Sequence, residues 1–395
     1  MWNDVINQER ACTALRRAIE RERVAHAYLF HGPDGVGKRA AALAFAQALQ
    51  CEQKDGAACD NCAACRKVRR MVHPDVHVFF ARPSSVEPSS SDDDAEEIAR
   101  RRERMAEEPY AAVDFVRRPA LDDPAKSSNK QAFYSISRVN EELRRQMSYK
   151  PVEGRYKVCL LTDAHLMRTE AANAFLKLLE EPAPRTVFVL ATNRPEQLLP
   201  TTLSRCQRLR FDPLPAEAIE EALRARTDAD PDQAGMVARM ADGSLTRALE
   251  LLTSRDLMDS RRLVLDFFRQ AYTGDIDRLA DLNKQIAGLG RERVKNLLDL
   301  MLRWVRDLVL YRTAGEEAQL VNVDQAEAVA RFCDNLPDAD LDAMARVVEE
   351  AIRLTERNVN MKLLLQVLSQ ALRAAMQGRP ARLYEPLSDP DALAA

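Results

Sequence analysis

The stretch Gly32-Pro33-Asp34-Gly35-Val36-Gly37-Lys38-Arg39 fits the phosphate-loop pattern G-x-x-x-x-G-K-[ST] at every position but the last. Glycines let the backbone curl so that successive N–H groups face a phosphate, and the lysine adds a mobile positive charge for the β and γ phosphates. The closing Ser or Thr would give a hydroxyl to Mg²⁺. Arg39 stands there instead, and a guanidinium has no lone pair to offer a cation. The expected cofactor-binding set Gly32, Gly35, Val36, Gly37, Lys38 and Arg39 can cradle a nucleotide but is poorly equipped to hydrolyse one.

A second metal-handling place fails with it. Phosphate-loop enzymes put an aspartate at the end of a neighbouring strand to hold Mg²⁺, often followed by an acid that orients the attacking water. Here the apolar run Leu160-Leu161 leads into Thr162, and only Asp163 is acidic. Two substitutions at separate ends of one site predict that hydrolysis has been lost and that ATP binding is doubtful.

Cys51, Cys59, Cys62 and Cys65 are spaced C-x7-C-x2-C-x2-C. Short C-x2-C steps let two thiolates reach one ion, and four sulfurs complete a closed tetrahedral zinc site with no position left for catalysis. A structural zinc is therefore expected. Cys12, Cys159, Cys206 and Cys333 lie in apolar contexts and are expected in the core. The tripeptide Ser204-Arg205-Cys206, following Thr192-Asn193-Arg194-Pro195, could project an arginine from the protein's edge; alone it is a weak signal.

These residues need elements to hold them. Ala27–Phe30 reads as a buried strand that runs straight into Gly32, and the Ala-rich stretch 40–49 as the helix after the loop. That strand–turn–helix context is the one a phosphate loop requires. Further strands are predicted at 76–80, 158–161, 186–191 and 209–211, alternating with helices at 8–22, 136–147 and 171–179. Together they imply a parallel sheet covered on both faces. After Pro213-Leu214-Pro215 only helices are expected: three short ones at 216–226, 232–240 and 244–252, then long ones from about 260 to 376. Apolar stripes at 294–310 and 363–372 read as core or subunit contact. The polar, acid-rich stretch from 82 to 130 reads as a mostly disordered insertion with one solvated helix near 95–108, and 381–395 as a frayed tail.

The bulk composition sets limits. A chain of 395 residues with 46% hydrophobic content can build more than one core, and a formal charge of -3 gives no global basic footprint for nucleic acid. No apolar run approaches the roughly 18 residues that a membrane helix needs, and the start, MWNDVINQER, lacks an apolar signal core. Clustered cysteines in so long a chain point to metal binding in a reducing cytoplasm, with no membrane partner.

Together these motifs resemble the clamp-loader branch of the AAA+ ATPases. The resemblance is carried by HAYLFHGPDGVGK at 26–38, the cysteines at 51–65, HPD at 73–75 and KVCLLTDAHLM at 157–167. It continues through AANAFLKLLEEP at 171–182, LATNRPEQLLPTTLSRC at 190–206, GSLTRAL at 243–249 and NVNMKLLLQVLSQAL at 358–372. It implies a P-loop α/β AAA+ domain at 1–212, a small helical lid at 213–256 and an all-α collar for oligomerisation at 257–380. It also implies a role in bacterial DNA polymerase III replication, with the gamma/tau and delta loader subunits, the sliding clamp and primer-template DNA as partners.

The gamma/tau ATPase type keeps the Ser/Thr after its lysine and an Asp-Glu pair where Thr162-Asp163 stands, and its lid arginine falls at Thr246. This chain is more similar to the loader subunit type that has a worn nucleotide site and keeps the SRC arginine. By that resemblance Arg205 is an arginine finger acting in trans on a neighbouring ATPase, and Asn193 holds the place of the first sensor residue. The alternative is a working gamma/tau-like ATPase.

Overall fold

Five apolar runs become the parallel strands β1 (Ala27–His31), β2 (Val76–Phe79), β3 (Lys157–Leu161), β4 (Thr186–Thr192) and β5 (Gln207–Arg210), ordered β2-β3-β4-β1-β5. In this computed structural model, residues 1–53, 56–83, 92–115, 132–253, 257–318, 320–355, 357 and 359–383 are described. β3 and β4 are buried along their whole length, as a sheet covered on both faces demands. The edge strand β5 is mostly exposed, and its arginines blunt an edge that would otherwise invite pairing. The register sets His31 beside Thr192 and Leu161 beside Leu190, so β1 and β4 end together and β3 ends two residues earlier. In such sheets the crevice outside the carboxyl ends of the strands is where ligands bind.

The chain forms two units, 1–252 and 253–395. The first holds α1 (Glu9–Glu20), α2 (Lys38–Gln50), α3 (Ala63–Arg69), α4 (Asp92–Glu107), α5 (Arg144–Met147), α6 (Thr169–Glu180), α7 (Pro200–Leu203), α8 (Ala216–Arg226), α9 (Pro231–Met240) and α10 (Leu245–Thr253). A π-helical stretch, Arg138–Leu143, leads into α5. α2 is buried almost all round, which its run of alanines permits: small side chains let a helix lie against the sheet and still be covered outside. Tyr28 of β1 meets Phe45 of α2 edge-on at 5.1 Å.

The expectation of a mostly disordered insertion with a solvated helix at 82–130 is corrected where the chain is described. α4 buries Ile98 and Met105, and the segment after it buries Tyr110, Val113 and Phe115. The charges of α4 do not keep it in solvent. Arg101, in the middle of α4, is fully buried, with its guanidinium 3.8 Å from the centre of the Phe115 ring. It donates to the Val113 carbonyl at 2.7 Å and pairs with Glu97 at 2.6 Å. A charge so supplied with partners can leave water. Residues 84–91 and 116–130 lie outside the described residues.

The second unit is helical: α11 (Leu257–Thr273), α12 (Ile276–Gly288), α13 (Arg291–Ala314), α14 (Ala326–Asn335), α15 (Leu341–Thr355) and α16 (Met361–Met376). The stripe on α13 at 294, 297, 298, 301, 305 and 308 is wholly buried, as are Leu364, Leu365, Leu368 and Leu372 of α16. The buried members of both stripes belong to the unit's own core, whereas Leu363, at the start of the second stripe, is exposed. Trp304 sits between Phe268 at 4.7 Å and Phe332 at 5.3 Å. The expected tail falls mostly in 384–395, outside the described residues. Among the described residues no helix is long and apolar enough to cross a membrane.

Candidate functional site

The phosphate loop runs from the end of β1 into α2, whose N-cap is Gly37 at φ 103°. Gly35 stands at φ 73°. Both are left-handed conformations that a side chain would strain. Lys38 is nearly buried, and its ammonium donates to the loop's own carbonyls, Gly32 at 2.7 Å and Pro33 closer still. Val36 is fully buried behind the loop, and its carbonyl accepts from the Gln8 amide at 3.1 Å.

The segment after α4 lies across this loop. Arg39 donates through Nε to the Pro109 carbonyl at 3.1 Å and through Nη2 to the Ala111 carbonyl. Tyr110 packs on Gly37 so closely that a Cβ there would meet its hydroxyl oxygen at 2.6 Å. That hydroxyl accepts from the Ile6 N–H at 3.0 Å, and burial pushes its pKa up to about 12, which keeps it neutral. From α8, Arg226 donates to both carboxylate oxygens of Glu108 at 2.8 and 3.0 Å and lies 5.3 Å from the centre of the Tyr110 ring. From α10, the Thr246 hydroxyl donates to the Tyr110 carbonyl at 2.6 Å. The Leu245 N–H donates to the Gly35 carbonyl at 3.0 Å.

Gly35, Gly37, Lys38, Arg39, Thr162 and Asp163 are thus brought to one place, and with the segment they enclose a cavity of about 60 Å³. That is room for a few waters. Thr162 directs its hydroxyl at the Phe79 carbonyl, 3.4 Å away, and its own carbonyl accepts from Tyr134 at 2.7 Å. Asp163 takes a left-handed conformation, φ 48°. Asn193, at the end of β4, donates its amide to Asp34 of the loop at 2.7 Å. Gly32 packs against Phe211 beyond β5.

The four cysteines converge as a second site. The Sγ atoms of Cys51, Cys59, Cys62 and Cys65 all lie within 4.8 Å of one another, and among the described residues this is the one such cluster. Zn–S bonds of about 2.3 Å put the sulfurs of a tetrahedral site about 3.8 Å apart, so a small contraction would close the set around an ion. The backbone already points donors at the sulfurs: Cys62 N–H at Cys59 and Cys65 N–H at Cys62, each 3.4 Å. These contacts favour thiolates. The N–H groups of Cys62 and Asn61 draw the Cys59 thiol down to about 7, whereas burial pushes Cys65 up. Four closely packed thiolates need a cation to be stable together.

Arg205 follows α7 and is about one-third exposed. It pairs with Glu180 at 2.7 Å and donates to the Thr201 carbonyl at 2.9 Å, so it belongs to the surface beside the end of α6. Asp75 of the HPD triplet is fully buried and accepts from the N–H groups of Val152, Glu153 and Gly154 at 2.6, 2.8 and 2.7 Å. Burial pushes its carboxyl up, but the three donors outweigh burial and hold it below the usual carboxylate range. Asp75 therefore has a structural task, pinning the loop that feeds β3.

Sequence reasoning missed Glu108, Tyr110 and Arg226. The available signal was the apolar run Tyr110-Ala111-Ala112-Val113 with Phe115, directly after a charged helix.

A family model described as DNA polymerase III, delta subunit, matches residues 7–215, and one for the C-terminal part of the delta subunit matches residues 258–372. The DNA polymerase III subunit delta′ of Bacillus subtilis is 28% identical over 363 residues, 91% of this chain and 94% of that protein. The subunit tau of the same organism is 27% identical over 374 residues, 89% of this chain; the chain spans only 57% of tau's length. The crystal structure of a DNA polymerase III gamma subunit-related protein from Thermotoga maritima aligns with 93% of this chain and 99% of its own at 17% identity, TM-score 0.43.

Proposed function

Because the chain belongs to the DNA polymerase III delta-subunit family, we propose that it serves the bacterial clamp loader as a delta-prime-type stator that lends Arg205 to the ATP site of a neighbouring gamma/tau subunit. In this reading residues 1–212 are the AAA+ domain, 213–256 its lid and 257–380 the collar. The partners are the gamma/tau and delta subunits, and through them the sliding clamp and primer-template DNA. A near-neutral chain suits a subunit whose DNA contacts are modest and shared.

The reading is carried by the state of the metal shell. Where a hydroxyl would ligate Mg²⁺, Arg39 is bound to the carbonyls of residues 109 and 111. A chain without a metal shell contributes to ATP hydrolysis by stabilising charge in a site that another chain builds, as arginine fingers do. Arg205 is about one-third exposed and is held by a surface ion pair with Glu180 and a hydrogen bond to the Thr201 carbonyl, contacts that water can replace when the side chain turns to a partner.

The test is a reconstituted loader with Arg205→Ala. DNA- and clamp-dependent ATPase activity is expected to fall about 10-fold or more, because a finger effect of about 10³–10⁵ at one site holds back the others when the sites fire in turn. Unchanged turnover would remove Arg205 from the mechanism.

Similarity to tau keeps a second reading alive, in which this chain hydrolyses ATP itself. Clear turnover by the purified chain with primed DNA and clamp, abolished by Lys38→Ala, would establish it. Cys51, Cys59, Cys62 and Cys65 would hold one structural zinc that cross-links the module after α2 and supplies no chemistry.

A further inference from the structure

We propose that residues Glu108–Asp114 are a built-in occupant of the nucleotide site, an internal ligand that closes the loop and the helices after β5 together as a bound nucleotide would. The proposal rests on the delta-prime-type reading and deepens it: the site is filled by the chain itself.

Three separate parts of the first unit meet on this short segment. The N-terminal stretch donates to it through the Ile6 N–H. The phosphate loop and the first turn of α2 hold it through Gly37 and Arg39. The helices after β5 hold it through Arg226 and Thr246. A nucleotide in a phosphate-loop site makes the same kind of bridge, with phosphates on the loop and the rest of the molecule reaching other elements. Here neutral carbonyls and an aromatic ring replace phosphate and base.

The substitutions fit this occupant. Arg39 is useless to Mg²⁺, but its planar fork of donors is well shaped to bind two backbone carbonyls. Thr246, unlike a long cation, is short enough to reach the Tyr110 carbonyl at 2.6 Å. The segment is also anchored from behind: buried Arg101 ties Val113 and Phe115 to α4. The residues that disable an ATPase are the ones that bind the segment.

An occupied site lowers apparent affinity for any competitor by the fraction of molecules in which it is open. The chain is therefore expected to bind ATP or ADP, with or without Mg²⁺, weakly or not at all. Opening the site should restore affinity.

The experiment compares the wild-type chain with Tyr110→Gly and with the milder Tyr110→Phe, which keeps the ring and loses the hydroxyl. Calorimetry with ATP is the first readout. The proposal expects Tyr110→Gly to bind at least about 10-fold more tightly than wild type, by release of the occupancy penalty. Wild-type binding as tight as that of Tyr110→Gly would overturn it. Amide hydrogen exchange is the second readout and decides if neither protein binds. Protection at Ile6 that falls about 10-fold or more in Tyr110→Phe without ATP supports the internal ligand, because a freed amide exchanges through more frequent local opening. Unchanged protection at Ile6 refutes it. The Arg205→Ala loader assay reads a different surface, so either idea can fail alone.

Discussion

The Thr246 hydroxyl donates to the Tyr110 carbonyl across 2.6 Å, and so fastens the first turn of α10 to the segment over the phosphate loop. Both groups are buried, so the bond cannot be exchanged for one to water. Thr246→Val keeps the shape and removes the donor. A buried carbonyl left without it costs about 1–3 kcal/mol. Urea unfolding of the first unit should keep its slope and shift to a lower midpoint by that energy divided by the slope.

Asp75 makes stability depend on acid. Its carboxyl is held low in the fold, so its contribution is present above the ordinary carboxylate range and is lost as pH falls through the depressed folded value. Asp75→Ala leaves three backbone N–H groups buried and should destabilise the first unit by about 3 kcal/mol or more at neutral pH. Asp75→Asn should cost less and flatten the acid limb of the stability profile, read by denaturation between pH 2 and 7 at about one-unit steps.

His77 on β2 acts at higher pH. Burial first, and then the Lys157 charge, lower its pKa to about 4. The unfolded chain takes up a proton near the ordinary value of about 6.5, while the folded chain resists until about 4. Stability should therefore fall as pH drops from about 6.5 towards 4. His77→Gln should remove that part of the slope while leaving the separate loss due to Asp75.

The cysteine cluster should carry about one zinc per chain by elemental analysis. A chelator strong enough to strip it should expose the basic turn of α3, Arg66, Lys67 and Arg69, to trypsin while β1 and α2 stay protected. Cys59→Ser should lower zinc occupancy to the same effect. A metal-free chain with an intact α3 would contradict the assignment.

Glu180 holds Arg205 only at the surface, so Glu180→Ala should change the chain's stability by less than about 0.5 kcal/mol. In the assembled loader the same change should leave ATP turnover at least as high as in wild type, since it frees the arginine. A fall matching that of Arg205→Ala would mean that the pair itself, and not the finger, is the working unit.

Much of this was legible locally. The strands at 27–31, 157–161 and 186–192 declare themselves because a doubly covered sheet needs unbroken apolar runs. The cysteines and the loop declare themselves because ligand and phosphate chemistry fix short spacings. Tyr110 did not, because its partners are 104 positions away at Ile6 and 136 away at Thr246. No short-range pattern encodes such a meeting. Arg101 hid for another reason: composition counts charges but does not say which of them will be given partners and buried. The α13 stripe was read correctly as apolar, yet sequence could not decide between an internal core and an interface, since both ask for the same side chains.

The glycines of the phosphate loop are held in place by neighbours other than phosphate. A Cβ on Gly35 would meet the Ser244 hydroxyl at 2.0 Å, and one on Gly37 the Tyr110 hydroxyl at 2.6 Å. Natural selection for correct folding alone is enough to preserve them. An ATP-site signature in such a chain works like a fossil kept intact by the rock around it. A count of ATP sites in an assembled loader made from motifs would then exceed the number of molecules the ring takes up.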